Sequence, residues 1–99
     1  MTSPAEIDLL GVLAYGELVA FERTAADAKL APNLADKAAL CAMAATEFAH
    51  YEKVSAHLAK LGQDPFEAMQ PFMDPLNQFH NSLTPRDWLE GLLKAYVGD

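Results

Sequence analysis

The sequence is short of the features that would assign it to several common classes. It has one cysteine, Cys41, so no internal disulfide can form, and the opening MTSPAEIDLL has neither the basic start nor the apolar core of a secretory leader. Both absences point to a reducing cytoplasm. No apolar run approaches the length needed to span a bilayer, which excludes a membrane helix. Basic residues are scarce, with seven Lys and Arg against fourteen Asp and Glu, a net charge of −7. Such a balance gives a phosphate backbone or an anionic membrane no attraction, so nucleic acid is not the expected partner. Strand alternation, internal repeats, low-complexity tracts and linkers are absent as well.

What remains is the composition of a small folded domain. Over its 99 residues the chain is 52% apolar and 21% charged, too apolar for disorder and long enough for one modest core. Its punctuation is helical. Ser3-Pro4-Ala5-Glu6 reads as an N-cap, a proline at the first helical position and a capping acid, which starts a helix running to about Lys29. Asn33 caps a second helix, with Asp36 in its first turn, and that helix runs to Lys60 or Leu61 before Gly62 ends it. Two long helices joined by so short a turn must be antiparallel. Asp64-Pro65 caps a third segment, while Pro71 and Pro75 forbid one continuous helix between 65 and 82. Thr84-Pro85-Arg86-Asp87 opens a last helix through Tyr96, with Trp88, Leu92, Leu93 and Tyr96 as its docking face. The expectation is an all-α single domain over 1–99: a hairpin over 1–61, a proline-rich connection with short helices over 62–84, and the start of a further helix over 85–99.

Each long helix carries an apolar stripe interrupted by acid. In the first helix Ile7, Leu10, Leu13, Ala14, Glu17, Leu18, Phe21 and Ala25 share a face; in the second it is Leu40, Met43, Ala44, Glu47, His50, Tyr51, Val54, Leu58 and Leu61. Glu17 lies fourteen residues before the turn at residue 31 and Glu47 sixteen after it, roughly 21 to 24 Å along each rod. Glu17, Glu47 and His50 are therefore expected to meet. Two facing carboxylates in an apolar seam repel and are costly to desolvate, and the Lys residues, Lys53 included, fall at helix ends or on the polar face. A bound cation resolves the conflict. Carboxylate-rich ligation with one imidazole suits iron or manganese better than calcium or zinc.

A Glu on one long helix followed thirty residues later by Glu-x-x-His on its antiparallel neighbour resembles the first half of a ferritin-like di-iron carboxylate four-helix bundle. The stretch YGELVAFERTAADAKLAPNLADKAALCAMAATEFAHYEKV, residues 15 to 54, is similar to the tRNA-hydroxylase-like bacterial branch of that superfamily. The resemblance implies iron ligation by Glu17, bridging of two irons by Glu47 and binding of one by His50. It implies a cytoplasmic oxygen-dependent oxidase or hydroxylase with molecular oxygen as co-substrate, and tRNA as substrate if the branch holds. It also implies a second half, another Glu helix and another Glu-x-x-His helix, for which Asn77-Gln78-Phe79-His80 offers only an amide in place of the carboxylate. The site is completed either by a missing C-terminal half, with Asp99 near a further ligand, or by a homodimer that doubles the three donors. Two other functions stay open: iron oxidation and storage at a homodimer interface, and a metal-free helical interaction module. Elsewhere, His57, Tyr15 and Tyr51 are expected as packing residues near the site. Cys41 should be a small buried side chain, Glu22 a surface acid, and the residues Phe66 to Phe79 a greasy cap over one bundle end.

Overall fold

The computed structural model describes residues 2–79. Helix α1 spans Pro4–Lys29 and α2 spans Leu34–Lys60. They are followed by α3 at Pro65–Met69, a 3-10 turn at Gln70–Phe72 and α4 at Met73–Phe79. Among the described residues there is no strand. The fold is all-α, with α1 and α2 packed as a hairpin. The helix expected from Thr84 onward, together with His80 and Asp99, lies outside the described residues.

Each boundary has a local cause. The Ser3 hydroxyl accepts from the Glu6 N–H at 3.2 Å, and Pro4 occupies the first turn, where its missing N–H costs no hydrogen bond. Asn33 Oδ1 accepts from the Asp36 N–H at 2.8 Å and begins α2. At its far end Gly62, at φ +83°, turns the chain left-handed. The Gly62 N–H then reaches the Ala59 carbonyl and the Gln63 N–H the Leu58 carbonyl, both at 3.0 Å, which is a Schellman closure. Asp64 Oδ1 accepts from the Phe66 N–H at 2.9 Å to start α3. The prolines divide the remaining helical segment as expected: Pro71 falls in the 3-10 turn, and Pro75 sits in the first turn of α4, where no intrahelical N–H is required.

The core gathers at the end of the hairpin remote from its turn. Leu10 and Ala14 of α1, Leu58 of α2 and Met69 of α3 are buried together, with Ile7, Tyr15, Tyr51, Val54, Leu61 and Ala68 around them. Toward the middle Leu13 and Ala20 form a second cluster against Val54. Phe21 and Phe48 pack as tilted rings 5.3 Å apart, and Phe48 meets Tyr51 at 5.4 Å. The two long helices are unequally covered. Helix α1 buries residues on most of its circumference between Leu10 and Ala20, whereas α2 buries Ala44 and Leu58. The expected α2 stripe does face α1, but Met43 and His50 are exposed and Leu40, Tyr51 and Val54 half-buried. Cys41 is exposed rather than buried. The greasy cap is partial: Met69 is buried and Phe72 and Leu76 half-buried, while Phe66 faces solvent.

Two contacts fix the returning chain to α1. The Tyr15 hydroxyl donates to Asn77 Oδ1 at 2.7 Å, tying α4 across the hairpin. Gly11 lets α3 approach so closely that a Cβ there would run into the Ala68 carbonyl and touch Phe72. Because that obstacle is backbone, it cannot step aside by a rotamer change. Gly11→Ala is expected to cost about 1–3 kcal/mol and to lower the melting temperature, as overpacking does. Calorimetric unfolding of the variant beside the wild type is the check, and equal melting temperatures would show that α3 does not dock there.

Candidate metal site

Glu17 is the buried charged side chain among the described residues, at 4% exposure. Its neighbours along α1 explain this: Leu13, Ala14 and Ala20 occupy the same covered face, and a helix cannot turn out one residue without turning out the rest. Glu17 Oε2 has no hydrogen-bond partner. His50 on α2 brings its Nδ1 within 3.7 Å, too far for a hydrogen bond. The two sit at different depths, the Glu17 side chain 6% exposed and that of His50 54%. Both line an open groove of about 290 Å³ between α1 and α2, with Leu13, Val54 and Lys53 as the other walls.

Burial pushes the Glu17 carboxyl up to about 7 from 4.5, and the negative charge of Glu47 adds to the shift. Near neutrality, then, a proton supplies part of the compensation that the acid pair demands. That answers the electrostatic conflict without a metal ion.

Glu47 points elsewhere. Its Oε1 accepts a 2.8 Å hydrogen bond from Thr24 Oγ1 of α1, a residue nearer the hairpin turn than Glu17. The direction of the Cα–Cβ bond accounts for this. Side chains lean toward the N-terminus of their own helix, and the two helices run in opposite senses. Glu17 therefore reaches away from the turn, to the level of His50, and Glu47 reaches back toward the turn, to the level of Thr24. Heights counted in residues therefore do not by themselves bring the two carboxylates together. Accordingly, among the described residues no group of three His, Cys, Asp or Glu is gathered to hold a metal ion.

Glu17 and His50 are thus brought together, and Glu47 stands beside them near enough to act on Glu17 through space. A buried oxygen without a partner and an imidazole nitrogen are donors of the kind that first-row transition metals accept, so in chemistry the pair fits such an ion. Two further residues take part. Thr24, seven positions after Glu17, shares its face two turns on, a spacing visible in the sequence. Lys53, expected on the polar face, lines the groove instead, one turn beyond His50. Of the others, Tyr15 is engaged with Asn77, His57 is exposed in the last turn of α2, and Glu22 is exposed as expected.

The Glu17 shift makes the stability of the metal-free protein depend on pH. The folded value of about 7 exceeds the unfolded 4.5, so folding favours the protonated acid. The carboxyl costs nothing below the unfolded value. Its cost accumulates as pH rises from there through about 7, toward about 3 kcal/mol. Glu17→Gln is expected to melt like the wild type near pH 4 and several degrees higher near pH 8, in chelator-treated protein. Parallel melting curves across that range would show that Glu17 is ionised in the fold at no cost.

Over residues 3–99 the sequence matches the family model described as Ferritin-like domain, actinomycetes. A search of curated proteins finds no match.

Proposed function

The chain belongs to the ferritin-like domain family, and from that membership and the groove we propose that Glu17, Glu47 and His50 hold iron, with manganese as the alternative, for oxygen-dependent oxidation or hydroxylation. The observation that carries the reading is the Glu17 Oε2 atom, buried without a partner 3.7 Å from His50 Nδ1. Native structures rarely leave a buried carboxylate oxygen unsatisfied, and a cation is the ligand that suits it. Iron bound there would supply the redox capacity for reducing molecular oxygen.

The residues of the chain do the rest. Glu17 releases its proton to solvent as it takes up a cation, so uptake strengthens as pH rises. His50 offers an imidazole nitrogen at the groove mouth. Leu13 and Val54 provide apolar walls that lower the local dielectric and strengthen the attraction between ion and carboxylate. Three donors are half of a di-iron complement, so further ligands would come from a second copy of the chain or from helices outside the described residues. The net charge of −7 works against tRNA as a substrate and favours a small uncharged molecule against the apolar walls. The same acidity draws metal cations, which favours ferrous-iron oxidation and storage as the second reading. Both readings place the protein in a reducing cytoplasm, where Cys41 stays a thiol.

Anaerobic iron(II) and manganese(II) titrations by calorimetry, with the mass in solution recorded alongside, test the site. Binding is expected in the wild type and a loss of at least about tenfold in affinity in Glu17→Gln, since even indirect supports of a ligand are worth that much. Equal affinities would remove Glu17 from the site and the reading with it. Consumption of an organic substrate with oxygen separates the oxidase from the storage protein.

A further inference from the structure

Resting on the metal-site reading above, we infer that Thr24 is the positioning residue of that site: its hydroxyl holds Glu47 away from the Glu17–His50 pair, and metal binding must release it. Three observations converge on this. Glu47 Oε1 is engaged by Thr24 Oγ1 at 2.8 Å, a bond between the two long helices rather than within one. Glu17 Oε2, the atom with which Glu47 would share an ion, has no partner. No third His, Cys, Asp or Glu joins Glu17 and His50 among the described residues, although Glu47 lies one turn before His50 on α2.

In the absence of a cation this arrangement is the better one for both acids. Glu47 gains a donor for its charge, and the two carboxylates avoid facing each other across an apolar seam. With a cation present the balance reverses, because the ion attracts both. Thr24 thus sets a threshold: its bond is a cost that binding has to overcome before Glu47 can serve as a third ligand. A hydroxyl suits that task, since a hydrogen bond to a carboxylate is strong enough to hold it and weak enough for a divalent ion to displace. Thr24 itself touches no metal in this scheme. It acts through Glu47.

The test uses Thr24→Val, which keeps the shape and removes the donor, and Thr24→Ser, which keeps the donor. Manganese(II) and anaerobic iron(II) are titrated into each, and melting temperatures are recorded without metal. Thr24→Val is expected to bind about tenfold more tightly, the value of one hydrogen bond to a charged group, while melting at the same or a lower temperature. Thr24→Ser is expected to match the wild type in both measurements. Opposite movement of affinity and stability is what general loosening of the hairpin would not produce. In a Glu47→Ala background the gain from Thr24→Val is expected to vanish, because the residue being released is gone. Unchanged or weaker binding in Thr24→Val, with wild-type binding intact, overturns the positioning role and leaves the site standing. Absence of binding in the wild type and every variant overturns the site and the positioning role together.

Discussion

One carboxyl group without a partner governs the middle of this hairpin. Glu17 lies on the covered face of α1, where no water reaches Oε2 and no donor stands within hydrogen-bonding distance of it. Charge in that position is expensive, so the group must be neutralised by a proton, answered by a cation, or exposed by parting the helices. The first two are compatible with the packing around Leu13, Ala14 and Ala20, and the third is not. The remaining polar features of the groove are arranged about this demand. His50 offers a nitrogen at 3.7 Å, Glu47 is drawn aside to Thr24, and Lys53 lines the groove. Under the proposed function a proton and a metal ion are alternative occupants of one oxygen, and pH decides which has the advantage.

The helices were legible because their ends are written in short, local chemistry. Ser3, Asn33 and Asp64 each cap a following backbone N–H, and Gly62 supplies the left-handed turn, all within three residues of where they act. Pro71 and Pro75 split the connection for an equally local reason. Hairpin geometry followed from the shortness of the turn, and the ferritin-like character followed from Glu17 and the Glu47–His50 pair on facing rods.

Less of the site could be read, and the reasons are specific. Heights counted in residues locate Cα atoms, whereas ligands are side-chain tips displaced toward each helix's N-terminus. In an antiparallel pair the displacements have opposite sign, which separates Glu47 from Glu17 and pairs it with Thr24. Thr24 shares a face with Glu17 and was recognisable by spacing, but a threonine carries no charge to draw notice. Burial depends on which neighbours arrive: Met43 and His50 lie on the α2 stripe that faces α1, yet the described residues cover α1 and leave α2 open. Periodicity marks a face. What lies against that face is settled elsewhere in the chain.

The uneven covering of the two long helices also sets an order of encounter. Since α3 docks at Gly11 and α4 at Tyr15, both on α1, the described part of the chain leaves the His50 flank of the groove clear. Under the proposed function, a metal ion entering from solvent would pass the half-exposed imidazole, beside a Lys53 side chain whose charge repels it, before it could touch Glu17 at the bottom. Hard, tightly hydrated ions such as magnesium find little at that doorway for which to surrender water, while ions that favour nitrogen find a first foothold. Depth, and not donor identity alone, would then sort the cations that arrive.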